Sequence, residues 1–502
     1  MDMEALLSYR WGAMLPEFII LVVATFLSLL DLFARKTWNR KWFGYIGVVG
    51  ILLAMISLLL LLNEPPVSIL EDTFRLDGFA KAFKLLLLGG AACVMVLASS
   101  YEPKEGLTYR GEFYYLLLTA LLGAMFMTSS GDLITLFVGL ELLSLSSYIL
   151  AGIRKQQLSS NEAAMKYVIN GGIATAITLF GMSYVYGLTG STNLLEIASQ
   201  VTFLNGRAYE GMLSLAFLMM LVGLSFKVAT VPFHMWAPDV YEGSPIPVTA
   251  FLSVISKIAG FALLIRLFFT IFANAPAKEM TTSILESMQG YIGLIAGATM
   301  IIGNLVALQQ QNIKRLFAYS SVAHAGYLFV ALAALSPFMF DAIWFYFLAY
   351  IFMNLGAFAV IQLVTIASDS AKITTFSGLY KRSPFLAISM AIFLLSLAGI
   401  PGTAGFIGKL NIFVGALSVS STHYVLVSIM IVTTVISYYY YFTLFVHMFF
   451  RPSYESAQIK KPNGLLVSIG LCACFTIILG IVPNIAYTFF FEQFSGFTDF
   501  FS

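Results

Sequence analysis

The chain has 502 residues, of which 59% are hydrophobic and only 10% are charged. Soluble globular proteins carry about 25% charged residues, so this composition excludes a soluble protein and indicates a polytopic membrane protein. The formal net charge is +2, which gives no reason to expect a nucleic acid or an acidic substrate as a partner.

Spanning a bilayer as a helix takes about 20 apolar residues, and about 14 segments of the sequence reach this length. We therefore predict an all-α membrane protein with a single membrane domain over residues 1–502. The N-terminus shows no clear cleavable signal, so the first apolar run is expected to be a retained helix. The predicted helices cover residues 14–33, 43–62, 78–99, 113–129, 132–152, 163–187, 212–236, 246–272, 290–308, 315–335, 338–366, 384–418, 422–449 and 464–490.

Two of these helices are predicted to be discontinuous. The seventh contains Pro232, which cannot donate to the helix ladder, and the twelfth is interrupted by Pro401 and several glycines. A polar hairpin that carries Asp239 and Glu242 is expected between helices 7 and 8. Paired broken helices are typical of transporters built from two repeats, so the chain is predicted to have two halves.

Lys and Arg residues are distributed unevenly between the two sides of the predicted helices. Loops that follow odd-numbered helices hold 17 of the 27. By the positive-inside rule these loops face the cytoplasm, and both termini face the outer side. Four of the 27 Lys and Arg residues are assigned to the interior of helices, namely Lys227, Lys257, Arg266 and Lys409. The opposite side holds Arg10, Arg75, Lys81, Lys84, Arg207 and Lys278.

Glu141 and Lys227 are the first candidates for proton chemistry. Glu141 lies nine residues after Asp132, about 13 Å along the fifth helix, with Ser144 and Tyr148 on the same face. A lone carboxylate at that depth is expected to be protonated or paired. Lys227 is its natural partner, and moving the two apart would release a proton from the lysine. A structural ion pair and a snorkelling lysine are the alternatives.

Lys257 and Lys409 are predicted to take part in proton transfer, because a charge at the centre of a membrane helix costs about 2.5–3.5 kcal/mol. Lys409 follows the second helix break, where a lysine beside unwound backbone is typical of an ion site. His324 is either a relay or a histidine with satisfied hydrogen bonds. His234 follows the first break and either relays protons or caps freed carbonyl groups. Arg266 is nearer the outer end of its helix and is expected to snorkel.

Metal and cofactor sites are not expected in this chain. Cys93, Cys472 and Cys474 all lie in apolar segments and match no zinc, haem or iron–sulfur spacing. No standard Gly-rich phosphate loop is present in the sequence. The aromatic run Tyr438–Tyr441 is expected to serve packing or the interfacial belt.

Several stretches resemble the antiporter-like membrane subunits of respiratory complex I, the bacterial NADH:quinone oxidoreductase. They are FKVATVPFHMWAPDVYEGSPIPVTAFLS around Lys227, SSVAHAGY around His324, GIPGTAGFIGK up to Lys409 and the helix that carries Glu141. APDVYEGSP is most similar to the subunit N branch of the family. The chain lacks the long C-terminal extension of subunit L, which also favours that branch. The resemblance covers essentially the whole sequence.

The resemblance implies two inverted five-helix repeats, over residues 113–273 and 290–449. Helices 1–3, within residues 1–112, would precede them, and a C-terminal helix within residues 450–502 would follow. It also implies a proton channel along a central line of polar residues.

In that channel, the resemblance makes Glu141 the modulating acid and Lys227 its partner. Lys257 would be the connecting relay, Lys409 would serve the second half-channel, and His324 would bridge the two halves.

The implied function is proton translocation in the bacterial plasma membrane, driven by electron transfer in partner subunits. Those partners would hold FMN, iron–sulfur clusters and quinone, and this chain would hold no cofactor. Neighbouring antiporter-like and small membrane subunits and the lipid bilayer are expected partners, whereas a homo-oligomer is not. Two alternatives stay open: a component of a multi-subunit Na⁺/H⁺ antiporter, and a non-pumping structural subunit whose charges only lock helices together.

Overall fold

A computed structural model describes residues 9–34, 38–103, 106–107, 110–203, 207–277, 282–419, 423–452 and 458–500. Four cations that entered the predicted orientation, Arg35, Lys36, Lys104 and Lys278, lie outside these described residues. Parts of the predicted segments 1–112 and 450–502 also lie outside the described residues, including residues 1–8 and 501–502.

Within the described ranges, 13 helices are long and apolar enough to cross a membrane, and two shorter apolar helices follow one another where the twelfth span was predicted. The prediction of about 14 spans with an interrupted twelfth is therefore confirmed. In chain order they are α1 (Leu15–Phe33), α2 (Lys41–Leu60), α3 (Gly78–Ser99), α4 (Arg110–Ser129), α5 (Leu133–Ala151), α6 (Leu158–Thr189), α7 (Arg207–Val228), α8 (Ile246–Phe272), α9 (Gln289–Ala307), α10 (Ile313–Ala334), α11 (Met339–Ser368), α12a (Pro384–Ala398), α12b (Ala404–Val419), α13 (Tyr424–Phe450) and α14 (Asn463–Ile481).

Shorter elements connect the spans. The short α-helices are Leu194–Val201, Trp236–Gly243, Ile284–Ser287, Leu379–Arg382 and Asn484–Phe494, and the 3₁₀ turns are Trp11–Met14, Ile373–Phe376 and Ser495–Phe497. Two antiparallel hairpins are also present: β1 (Val67–Ile69) with β2 (Phe74–Leu76), and β3 (Pro276–Ala277) with β4 (Thr282–Ser283). In their registers, Val67 lies opposite Leu76 and Pro276 opposite Ser283.

The polar hairpin predicted around Asp239 and Glu242 is wrong, because these residues lie in the short helix Trp236–Gly243. Pro238 is tolerated there since it lies in the first turn, where backbone N–H groups have no intrahelical acceptor. At the other end, Lys314 Nζ donates to the Glu242 carbonyl at 2.5 Å and to the Ser244 carbonyl at 2.7 Å. The helix is therefore capped by a cation from α10, a contact that local sequence does not reveal.

Polar residues at the helix starts define several boundaries. Asp77 accepts from Ala80 N at 2.8 Å before α3, and Asp132 accepts from Ile134 N at 2.7 Å before α5. Such side chains pair the N–H groups that a first turn leaves free. At the opposite end of a helix, Gly399 adopts a φ of +85° and ends α12a. Glycine reaches this left-handed conformation at no steric cost.

The α8 helix forms the centre of the bundle. All of its residues, Ile246–Phe272, are buried, and α10 and α11 are buried along most of their length. A helix that is apolar on every side must be surrounded by other helices. By contrast, α1, α2, α6 and α13 expose many large apolar side chains to the surroundings. Residues on α8 are thus positioned by packing from all directions.

Arg266 and Lys84 do not lie where the sequence analysis put them. Arg266 is only 2% exposed and donates to both carboxylate oxygens of Asp77, at 2.5 and 2.9 Å, so the snorkelling prediction is wrong. Lys84 was counted with the cations of the outer side, but it is fully buried within α3, and its Nζ lies 2.5 Å from Glu17 Oε1. In each case a carboxylate from elsewhere in the chain provides a partner inside the protein, so the cation need not reach water.

The stability that the Arg266–Asp77 pair contributes depends on pH. Burial raises the pKa of Asp77, but the Arg266 guanidinium and its hydrogen bonds outweigh burial and hold that pKa below its usual value. The pair therefore contributes its full stability above the pKa of an unfolded Asp, about 4. That contribution is lost as the pH falls through the lower folded pKa.

Replacing Asp77 with Asn should destabilise the protein by about 3–5 kcal/mol, because Arg266 is then left buried without its carboxylate. The measurement is the midpoint of thermal unfolding in detergent, followed with a thiol-reactive dye that reports exposure of the buried Cys472. The control is Asp369→Asn, the same chemical change at an exposed residue whose left-handed backbone asparagine also tolerates. Equal midpoints for the two variants would contradict a stabilising role of the pair.

Candidate functional site

The first candidate lysine lies where α7 ends. The chain leaves the helix at Ala229, which adopts a φ of +59°, and then turns until Trp236. At the break, the Phe226 carbonyl accepts from Ala229 N at 3.0 Å and also from Trp236 Nε1 at 2.9 Å. Irregular backbone at membrane depth requires such protein partners. The predicted break near Pro232 is confirmed, and Lys227 occupies the last turn before it.

Lys227 is brought to the polar face of α5. Its side chain is 5% exposed, and its Nζ donates to Ser144 Oγ at 3.0 Å. Glu141, one turn before Ser144, acts electrostatically on Lys227. Its Oε1 is buried and has no hydrogen-bond partner among the described residues. The structure thus places the predicted acid and base together but bonds the amine to the intervening serine.

The close approach of α7 and α8 beside Lys227 depends on Gly260. A Cβ at this position would lie 3.3 Å from Lys227 Cγ and 2.8 Å from Val228 Cγ1. The aliphatic stem of Lys227 therefore packs over a glycine of α8, one turn beyond Lys257. The two helices that carry Lys227 and Lys257 therefore pack directly against each other at this glycine.

Lys257 connects α8 to α10. Its side chain is 2% exposed, and its Nζ donates to Ser321 Oγ at 2.6 Å and also to the Ser321 carbonyl. The Tyr241 hydroxyl lies 3.4 Å from the same Ser321 Oγ. On the preceding turn of α8, Ser253 Oγ lies 3.2 Å from the Tyr350 hydroxyl of α11. Lys257 therefore lies beside a buried group of hydroxyls from four helices, namely α8, α10, α11 and the short helix Trp236–Gly243.

His324 follows Ser321 by one turn on α10. Its Nδ1 lies 2.5 Å from the Tyr346 hydroxyl, and its Nε2 lies 3.3 Å from the Tyr441 hydroxyl. A neutral imidazole has one donor and one acceptor nitrogen, and a hydroxyl can complement either. The arrangement suits both sequence interpretations, a relay and a fully hydrogen-bonded histidine. In both interpretations, His324 links α10 to α11 through Tyr346 and to α13 through Tyr441.

Lys409 lies at the second break. Its Nζ donates to the Leu397 and Ala398 carbonyls, each at 3.0 Å, and lies 4.8 Å from the centre of the Tyr327 ring. These carbonyls end α12a, and a helix C-terminus favours a positive charge. Tyr327 is one turn beyond His324 on α10. The predicted position of Lys409 beside unwound backbone agrees with this geometry.

His234 stands apart from these contacts. It is half-buried, its Nδ1 has no hydrogen-bond partner among the described residues, and its ring centre lies 6.2 Å from that of Tyr319. Trp236, rather than His234, donates to the Phe226 carbonyl. The structure therefore joins Glu141, Lys227, Lys257, His324 and Lys409 to one polar region and leaves His234 at its edge.

The sequence analysis missed the tyrosines of this region. Tyr441, assigned to packing, is 2% exposed, and its hydroxyl lies 2.5 Å from Ser320 Oγ as well as near His324. Its neighbour Tyr440 donates to Asn304 Oδ1 at 3.0 Å. Aromatic runs are common in membrane belts, so nothing local in the sequence distinguishes these hydroxyls. Only their burial against α9 and α10 does so.

A set of ion pairs anchors the segment that follows Lys227. Asp239 accepts from Lys166 of α6 at 2.6 Å and from Arg315 of α10 at 2.7 Å, and Arg315 also reaches Glu242 at 2.8 Å. Burial raises the pKa of Asp239, but these hydrogen bonds outweigh it and hold the pKa below its usual value. The helix Trp236–Gly243 is thereby tied to α6 on one side and to α10 on the other.

The comparisons with known proteins agree with this geometry. Residues 130–437 match the family model described as NADH:quinone oxidoreductase/Mrp antiporter, TM. The chain is 62% identical over 490 residues to NADH-quinone oxidoreductase subunit N of Geobacillus sp. strain WCH70, covering 97% of this chain and 100% of that protein. Its identity to subunit N of Bacillus anthracis is 58% over 501 residues, with 100% and 99% of the two chains covered.

Among solved structures, a chain of respiratory complex I from Thermus thermophilus with bound aureothin has a TM-score of 0.79 and 32% sequence identity. The match covers 94% of this chain and 99% of the Thermus chain. Family model, curated relatives and solved fold all extend over the helices that carry the polar region. The chain therefore belongs to the NADH-quinone oxidoreductase subunit N family of antiporter-like membrane subunits.

Proposed function

We propose that the chain translocates protons across the membrane as a subunit of an NADH:quinone oxidoreductase, while the redox chemistry takes place in partner subunits. One observation carries the proposal: the amines of Lys227, Lys257 and Lys409 are buried and bonded to hydroxyl or carbonyl oxygens. By contrast, Lys84 and Arg266 lie against carboxylates. A carboxylate at that distance holds a cation charged, whereas a hydroxyl can bond to either form of an amine.

In the first half, Glu141 would control the protonation of Lys227. A carboxylate favours the ammonium form of a nearby lysine, and burial opposes that form. Moving Glu141 away would therefore release a proton from Lys227. Ser144 can accept from the ammonium and donate to the neutral amine, so it can stay bonded to Lys227 throughout. Control of this kind can be exerted from outside the chain, through a shift of α5.

One face of α10 would connect the first half to the second. Ser321 bonds to Lys257, His324 follows one turn later, and Tyr327 one turn after that lies against Lys409. Residues three apart share a helix face, so these groups form a row along α10. In this proposal His324 passes protons between Lys257 and Lys409 through the tyrosine hydroxyls around it.

We also propose an orientation in the membrane and a set of partner subunits for the chain. The excess of Lys and Arg in loops after odd-numbered helices supports a cytoplasmic position for those loops and an outer position for both termini. FMN, iron–sulfur clusters and quinone belong to partner subunits. Neighbouring membrane subunits contact this chain in the bacterial plasma membrane. The two inverted repeats over residues 113–273 and 290–449 stay a prediction.

The main alternative is a subunit of a Na⁺/H⁺ antiporter, since the description of the matching family model also includes the Mrp antiporter. The names of the relatives at 62% and 58% identity favour the oxidoreductase. The structural-subunit alternative predicts that the three lysines only hold helices together. The two experiments below separate these cases.

A tagged chain should co-migrate with NADH-dependent dye reduction on a native gel of mildly solubilised membranes, because the proposal places it in an assembly with an NADH dehydrogenase. The control is the same gel from cells that lack the tag. A tagged band free of that activity, together with Na⁺/H⁺ exchange in vesicles, would contradict the proposal and favour the antiporter.

Replacing Lys227 with Ala should lower NADH-driven proton uptake into inverted vesicles by about a hundredfold, the usual effect of losing an essential proton-transfer group. Uptake is normalised to the amount of assembled complex on the native gel, because a merely structural lysine would affect assembly instead. The matched control is Lys461→Ala, at an exposed position. Assembled Lys227→Ala complexes with normal uptake would refute the role of Lys227.

A further inference from the structure

Two cysteines meet between α3 and α14, away from the polar region described above. The side chains of Cys93 and Cys472 are hydrogen-bonded to each other, and both are hydrogen-bonded to the side chain of Ser468. Ser468 lies four residues before Cys472, on the same face of α14. Both cysteines are free thiols. The tertiary structure therefore brings together two thiols that are 379 residues apart in the sequence.

The depths of the two cysteines along their helices agree with this contact. Cys93 lies six residues before the end of α3, and Cys472 lies nine residues after the start of α14. These separations correspond to about 9 and 13 Å along the helix axes. The end of α3 and the start of α14 are on the same side of the bundle, since an even number of spans lies between them. Both thiols are thus well inside the apolar part of the bundle.

The relative position of the two helices is set by packing outside the thiol pair. The α3 and α14 helices contact each other directly, and both also contact α11. Gln362 Nε2 of α11 donates to the Leu97 carbonyl at 3.0 Å, one turn beyond Cys93. Phe352 of α11 stacks on Phe475 of α14, with ring centres 4.8 Å apart and planes at 15°. A third helix therefore holds the two thiols opposite each other.

The other end of α3 is also joined to the C-terminal part of the chain. Asp499 Oδ2 accepts from Gly78 N at 2.7 Å, where α3 begins, and Arg75 donates to the Asp499 carbonyl at 3.1 Å. The segment after α14 thus returns to the start of α3, while the thiol pair lies near the end of α3. A covalent bond at the thiol pair would add to contacts that already hold these parts of the chain together.

Two neighbouring thiols can be oxidised together to a disulfide, and the reaction proceeds through a thiolate. The Ser468 hydroxyl can donate a hydrogen bond to the sulfur that loses its proton, since a hydroxyl both donates and accepts. Cys93 is only half-buried, so the pair is not enclosed on all sides. An oxidant that reaches it must dissolve in the lipid and accept two electrons, and quinones have both properties.

We infer that Cys93 and Cys472 form a redox-modifiable dithiol, which a lipid-soluble two-electron oxidant of the quinone class converts into a disulfide between α3 and α14. Two S–H bonds break and one S–S bond forms. The two electrons and two protons pass to the quinone, which becomes a quinol. This reaction goes beyond the proposed function, because it does not involve the lysines or the transfer of protons across the membrane.

Counting free thiols in the assembled complex tests the inference. Membranes without NADH are treated with duroquinone, whose ring is fully methylated and therefore does not add a thiol. The chain is then denatured and labelled with a polyethylene-glycol maleimide that shifts its band on a gel once for each free thiol. The chain has three cysteines, so the reduced chain should take three labels and the oxidised chain only one. Dithiothreitol given before labelling should restore all three.

The third cysteine provides a matched control. Cys474 is two residues after Cys472, on the opposite face of α14, and is exposed. Cys474→Ser should take two labels when reduced and none after oxidation, because both remaining thiols belong to the pair. Cys93→Ser and Cys472→Ser should each take two labels before and after duroquinone, because one partner is missing.

A wild-type chain that keeps three labels after duroquinone would overturn the inference, and this result requires no substitution that could disturb folding. Loss of labels in Cys93→Ser would also overturn it, because the bond would then join other cysteines. A label loss accompanied by a band of higher mass without reductant would show a bond to another chain, and the proposed pair would be wrong. Proton uptake enters none of these measurements, so a failure of the proposed function leaves their outcome unchanged.

Discussion

A charge inside a bilayer must be hydrogen-bonded or paired, and the arrangement of this chain follows from how each buried cation meets that requirement. Arg266 reaches a carboxylate that caps α3, and Lys84 reaches one from α1. These pairs join α1 to α3 and α3 to α8. Lys227, Lys257 and Lys409 instead reach neutral oxygens. The same physical requirement therefore yields two kinds of site, one suited to holding helices together and one suited to exchanging protons.

The two helix breaks supply the geometry for the second kind. At the first, Ala229 N and Trp236 Nε1 donate to the Phe226 carbonyl, and Lys227 donates to Ser144 instead. At the second, Lys409 itself pairs with the freed carbonyls of α12a. The breaks thus look alike in sequence but differ in which side chain satisfies the backbone. A neutral amine keeps two N–H groups, so Lys409 can donate to both carbonyls in either form, whereas Ser144 can also donate to the lone pair of a neutral Lys227.

The α10 helix links the two breaks. One of its faces carries Ser321, His324 and Tyr327, which contact Lys257, two tyrosine hydroxyls and Lys409 in turn. The start of α10 also holds the short helix that follows Lys227, through Arg315. The segment after the first break is therefore joined to α10 by ion pairs as well as through the polar side chains of that helix.

The sequence by itself determined the number of spans, both breaks and the burial of Lys227, Lys257 and Lys409, because hydropathy, Pro and Gly act locally and a charge in an apolar helix is visible without a partner. It also placed Ser144 beside Glu141 through helical spacing. Only the tertiary structure decided the partners: Ser321 lies 64 residues from Lys257, and Asp77 lies 189 residues from Arg266. Tyr346 and Tyr441 escaped the sequence analysis for the same reason. A tyrosine in a membrane helix has the same local pattern whether its hydroxyl meets lipid headgroups or a buried histidine, and only packing between distant helices distinguishes the two.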